Sequence, residues 1–201
     1  MTELKEILAK YIPENALNQI VNLIATNNVQ LNITRNRRTK LGDYRPPQNG
    51  YLFHRISVNY NLNEYEFLIT LIHEFAHLFV WNKHKNKVEP HGKEFKTTYY
   101  SLLHQFVEMN IFPEDVKAAI QKIEASPENA KLEMGRALQK YSQSNQNMLL
   151  VEEVPLNANF KTPDGRTFQK LEKLRKRYKC LCLNDKRKYL FHPLAKVISP
   201  N

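Results

Sequence analysis

The chain has 201 residues, 42 % hydrophobic and 25 % charged, with 30 Lys and Arg against 20 Asp and Glu. That suits one ordinary globular domain plus an appendage, and no apolar run approaches the ~20 residues of a membrane span. The only cysteines, Cys180 and Cys182, are too few and too close for a disulfide framework.

The opening stretch, MTELKEILAKYIPENAL, alternates charged and apolar residues and lacks the apolar centre of a secretory signal. A soluble, cytoplasmic protein is expected, with no membrane partner, nucleoid-associated if bacterial. Residues 14–27 carry Leu17, Ile20, Val21 and Ile24 at helical spacing behind Pro13. QLNITRNR alternates as a strand, with Leu31 and Ile33 on one side. LGDYRPPQNGY reads as turn chemistry. HRISVNY reads as a second strand paired with the first, and Tyr51 and Phe53 are candidates to extend it.

Asn63 is placed to cap a long helix, NEYEFLITLIHEFAHLFVWNKH, with Glu64 and Glu66 in its first turn. After the loop KHKNKVEP, a further helix is expected from His91-Gly92 through KEFKTTYYSLLHQFVEM. PEDVKAAIQKIEA and PENAKLEMGRALQKY both open on Pro and acidic residues, as helices do. SQSNQN reads as a polar linker. Beyond it, NMLLVEEVP reads as a strand, TPDGRT as a turn, and KRYKCLCL with RKYLFHPLAKV as a hairpin about Asn184-Asp185. The expected divisions are a catalytic-type domain over 1–112, a helical extension and linker over 113–147, and a basic, β-hairpin-rich subdomain over 148–201.

The long helix holds the chemistry. His73 and His77 are four residues apart, so they share one helical face and can grip one metal ion. Glu74 projects beside that ion, where it can take a proton from an activated water. This is the H-E-x-x-H arrangement of zinc hydrolases. A catalytic zinc needs a third protein ligand and an open position. The metzincin spacing is absent, because positions 80 and 83 are Val80 and Lys83. His91 is favoured as the third ligand because Pro90 and Gly92 let the chain turn back. His84, Glu89 and Glu94 are alternatives. Tyr99, Tyr100 and His104 are candidates to stabilise a developing oxyanion.

HEFAH followed by HGKEF, preceded by TRNRRTKLGDYRPP and ISVNYNL, resembles the SprT-like metalloprotease family, whose vertebrate relative is called Spartan. The resemblance covers roughly residues 14–110. It implies an α+β, zincin-like minimal metalloprotease: an N-terminal helix, a small sheet, the H-E-x-x-H helix and following helices. It implies one catalytic Zn2+ on His73, His77 and His91, with Glu74 as general base. It also implies protein substrates associated with, or crosslinked to, DNA. Many members end in a zinc ribbon with two C-x-x-C pairs. Here Cys180, Cys182 and His192 offer at most three ligands, so the tail is expected to pack Tyr178, Leu181, Leu183, Tyr189, Leu190 and Phe191 in place of a second zinc.

The charge of +10 is concentrated in two places. One is TRNRRTK, with Arg35, Arg37, Arg38 and Lys40. The other is the tail, including Arg175, Lys176, Arg177, Lys179, Lys186, Arg187 and Lys188. Such clusters are the footprint of a polyanion binder, here DNA, single-stranded or without sequence choice. The competing reading is a nucleic-acid-binding adaptor whose metal site is structural or weakly active. A hydrolase of small peptides is disfavoured, because it leaves the charge unexplained.

Overall fold

A computed structural model describes residues 2–37, 39–48, 50–123, 127–142 and 148–198. The chain divides into two compact units, Met1–Ser142 and Gln143–Asn201. The architecture is mixed α+β, with six helices and two sheets among the described residues. None of those helices is long and apolar enough to cross a membrane.

The first unit opens with α1 (Thr2–Leu8), an element not assigned from the sequence, then a 3-10 turn (Glu14–Ala16) and α2 (Leu17–Thr26). β1 (Val29–Thr34) and β3 (His54–Asn59) pair in parallel, Leu31 opposite Ile56. Between them in sequence lies β2 (Gly42–Arg45), antiparallel to β3 at the sheet edge. From its residue types alone that stretch reads as a turn. Four residues before Pro46-Pro47 are too few to show alternation, and the strand exists because β3 supplies its partners. Tyr51 and Phe53 do not extend β3, which begins at His54.

α3 (Glu64–His84) is the axis of this unit. Asn63 caps it, its side-chain oxygen accepting from the backbone N–H groups of Tyr65 (3.1 Å) and Glu66 (3.0 Å). α3 packs on β2, β3 and α4 (Lys93–Glu108), so it buries apolar residues on most of its faces. Phe67, Leu71 and Phe75 are fully enclosed, as are Ile56 and Val58 of β3. α5 (Glu114–Gln121) and α6 (Pro127–Gln139) belong to the same unit. They brace the start of α3. The Asn63 amide donates to the Leu138 carbonyl (3.0 Å) and the Ser142 hydroxyl (3.1 Å), and Tyr141 stands edge-on to Tyr65.

The second unit is one six-stranded antiparallel sheet in the order β4-β9-β5-β6-β7-β8. The strands are β4 (Met148–Leu150), β5 (Asn159–Lys161), β6 (Thr167–Lys173), β7 (Tyr178–Cys182), β8 (Lys188–Phe191) and β9 (Lys196–Ile198). The β7–β8 hairpin expected from sequence is present. β5 and β6 were not anticipated, and RKYLFHPLAKV divides into β8 and β9. Gly165, at φ +85°, makes the turn between β5 and β6. The core holds Phe160, Phe168, Tyr178, Cys180, Cys182 and Val197. The expected packing set is thereby corrected. Alternation along β7 turns Cys180 and Cys182 inward and leaves Leu181 half-buried on the other face, while Leu190 is 53 % exposed.

Candidate metal centre

α3 presents His73, Glu74 and His77 to a cleft of about 560 Å³, walled on one side by β2 and on the other by Pro90, His91 and Tyr99. One ligand nitrogen from each of His73, His77 and His91 falls within a span of 4.8 Å, and no other trio of His, Cys or acidic residues among the described residues closes on one point. The Nε2 atoms of His73 and His91 are 3.4 Å apart. Two nitrogens at ~2.05 Å from a tetrahedral zinc would be roughly 3.3 Å apart, so the donor set fits that ion. His84, Glu89 and Glu94 are outside the trio.

The imidazoles are held by aromatic rings. Phe95 touches all three, with centroid distances of 4.8 Å to His73, 4.3 Å to His77 and 4.9 Å to His91. Tyr99 stands edge-on to His73, and Tyr44 lies parallel to His77. Of the three oxyanion candidates, Tyr99 is the one that lines the cleft. Burial, with the neighbouring His77, His91 and Lys131, pushes His73 down to about 3. Burial and His91 push His77 down to about 4. Both rings are therefore neutral at neutral pH, with lone pairs available to a metal.

Glu74 is 5 % exposed. Burial first, then the charge of Asp43, raises its pKa to about 8, against the lowering effect of Arg37 and Lys40. A divalent cation beside it would reverse that balance and favour the carboxylate. Its position is set by a residue the sequence reading missed. A Cβ built on Gly42 would lie 2.8 Å from Glu74 Cδ and closer still to Oε1. Only a glycine lets β2 approach the carboxylate so closely. In sequence, Gly42 looked like one more turn residue.

Arg37, expected to meet nucleic acid, is instead occupied within the fold. Its guanidinium donates to Asn59 Oδ1 (2.8 Å), Ser57 Oγ (2.9 Å) and the Leu41 carbonyl (3.3 Å). Asn59, wholly buried, donates to the carbonyls of Arg37 (3.3 Å) and Lys40 (3.0 Å). This clasp fixes the segment that delivers Gly42. Arg35 and Lys40 are exposed, with Lys40 paired to Asp43 at 2.8 Å. Arg38 lies outside the described residues. In the tail, Arg175, Lys176 and Arg177 occupy the β6–β7 turn, and Lys186, Arg187 and Lys188 follow β7, so the two groups sit at opposite ends of that strand. Lys179 pairs with Glu172 at 2.7 Å. Tyr189 and Phe191 pack against Phe168.

No second metal site forms from Cys180, Cys182 and His192. The thiols are fully buried, with Cys180 pushed up to about 11 by burial, and His192 is exposed with its Nδ1 accepting from the Leu194 N–H.

A helix carrying two histidines and a buried glutamate, a third histidine from the next loop, and an edge strand along the cleft together make a candidate metal centre on an α+β scaffold. The chain belongs to the SprT-like family, whose model matches residues 3–117. That family is associated with zinc-dependent metalloprotease-type activity. No curated protein and no solved structure matches the chain.

Proposed function

We propose that this protein is a zinc-dependent metalloendopeptidase of zincin type that acts on DNA-associated or DNA-crosslinked proteins. The observation that carries the catalytic part is the convergence of His73, His77 and His91 beside Glu74 in one open cleft. The three histidines would hold one zinc ion, which when bound supplies Lewis acidity to the scissile carbonyl and to water. Glu74, wedged against Gly42, accepts the proton of the attacking water and returns it to the leaving amide nitrogen. β2 is the edge strand of its sheet among the described residues and borders the cleft, so an extended substrate can pair on it as an added strand. Tyr99, which lines the cleft, is a candidate donor for the developing oxyanion.

The DNA part is supported by charge. The exposed Arg35, Lys40, Arg175, Arg177, Lys186, Arg187 and Lys188 suit phosphate contacts, which bring affinity without sequence choice. With the tail aromatics in its core, this binding rests on phosphates rather than base stacking.

The test is a gel. The zinc-loaded protein is incubated with a basic DNA-binding protein, with and without single-stranded DNA, beside Glu74→Gln. Fragments that require both DNA and Glu74 are the expected result. Fragments without DNA would leave a protease whose basic clusters do something else. No fragments under any condition, with one zinc bound, would replace the reading with a binding adaptor.

A further inference from the structure

The catalytic cleft does not end at His77. A second cavity of about 420 Å³ continues along α3, sharing Tyr44, His77 and Pro90 with the first. Trp81 forms part of its floor, and Pro46, Val80 and Val88 supply apolar wall. From His77 to Trp81 is one helical turn, ~6 Å, or about two residues of extended chain. A peptide paired along β2 would therefore place a side chain in this cavity within a residue or two of the bond being cut.

Three features give the cavity a chemical preference. The Trp81 indole N–H is buried and has no acceptor among the described residues. Buried donors in folded proteins are mostly paired, with protein or ordered water, and beside this one the His54 ring stands edge-on to the indole. Next, Lys85 places its ammonium 3.8 Å from the centre of the Trp81 ring. It thereby occupies the ring face on which an incoming cation would stack. Finally, Lys85 holds a positive φ of 56° at the end of α3, a conformation costly for a residue with a side chain. Glu89 also lines the cavity.

We infer that this cavity is a substrate subsite for a side chain with an apolar stem and a terminal acceptor oxygen, glutamine or glutamate, which pairs with the Trp81 N–H and the Lys85 ammonium. The indole nitrogen is closed to solvent, so binding requires a local rearrangement that includes Lys85. Its long stem is exposed and turns at little cost. This inference rests on the protease reading for the path of the peptide, but its test does not depend on turnover.

Trp81 is the only tryptophan in the chain, so its emission reports directly on the cavity. N-acetylated peptides differing at one position, Gln, Glu, Met or Lys, are titrated into the zinc-loaded, full-length Glu74→Gln protein, and the same peptides are offered to the wild type for cleavage. Gln and Glu peptides are expected to shift the emission and bind about tenfold tighter than the Met isostere, the effect of one added hydrogen bond. By calorimetry, Trp81→Phe should remove that advantage and leave the Met peptide unchanged. Lys85→Glu, a surface change that does not threaten folding, should turn the preference towards Lys. Equal binding of Gln and Met peptides, preference for Lys in the unaltered cavity, or equal weakening of all peptides by Trp81→Phe would overturn the inference. Selective binding without cleavage by the wild type would keep the subsite and remove the protease. Cleavage without selectivity would do the reverse.

Discussion

Among the described residues, each unit of this protein buries one carboxylate or ammonium side chain almost completely, and the two are treated differently. In the tail, Lys170 is 2 % exposed. Its ammonium donates to the carbonyls of Glu152 (3.2 Å) and Val154 (2.5 Å) and lies 4.0 Å from the Tyr178 ring centre. Burial lowers its pKa, but its donors are largely used. In the first unit, Glu74 is 5 % exposed, with no ion pair among the described residues and with a glycine against its carboxylate. A buried charge whose bonds are met within the fold is structural, a cross-link between a strand and a loop. One left unmet at the wall of a cleft is held ready for something not yet present. The tail's lysine is thus structural, while the glutamate has the surroundings of a candidate functional group.

The largest expected effect comes from removing the unmet group. Glu74→Gln should lower cleavage by about 10²–10⁴-fold, the range for a lost general base, while zinc content measured by metal analysis stays at one per chain. Its thermal stability should be equal or higher, because a costly buried acid is gone. A fall in stability would place Glu74 with Lys170 and break the contrast.

Gly42→Ala tests whether the fold holds that group in place. Displacing the carboxylate by about 1 Å should reduce kcat by about 10²-fold with little change in KM or zinc content. An unaltered kcat would mean that the carboxylate position is not set by β2.

Lys170→Met keeps the apolar stem of the side chain and removes the charged end. Two carbonyls lose their donor, which should cost the second unit about 1–3 kcal/mol, read as faster hydrogen exchange in β6 and β7. Cleavage of a peptide by the first unit should not change.

The metal-free protein should show the difference as pH dependence. His73 and His77 have folded pKa values below the ordinary 6.5, so the unfolded chain binds more protons and stability falls as pH drops below about 6.5. Glu74 has a folded pKa of about 8, above its ordinary 4.5, so the folded chain holds its proton longer and stability falls as pH rises from about 4.5 through 8. Urea unfolding across pH should therefore narrow from both sides, and zinc should flatten the profile.

The smallest effect is expected at Arg37. Arg37→Ala should loosen the clasp to Asn59 and lower stability by about 1 kcal/mol, with no change in the salt slope of DNA binding. A reduced slope would return Arg37 to the phosphate-binding set.

The sequence by itself determined what local rules control. Asn63 as a cap, the 3.6-residue spacing that puts His73 and His77 on one face, and the β7–β8 hairpin follow from near neighbours in the chain. The third histidine was legible for the same reason, since Pro90 and Gly92 permit a turn back towards α3. Tertiary structure decided the remainder, because those features depend on residues far apart in sequence. β2 is a strand only because β3 lies beside it. Gly42 matters only because Glu74, 32 positions later, is pressed against it. Arg37 carries the same charge as Arg35, yet one is spent on Asn59 and the other faces water. Cys180 and Leu181 are both apolar, and the register of β7 alone placed the cysteine in the core and the leucine outside it. A side chain's type is written in the sequence. What it faces is fixed by packing, and function follows from what it faces.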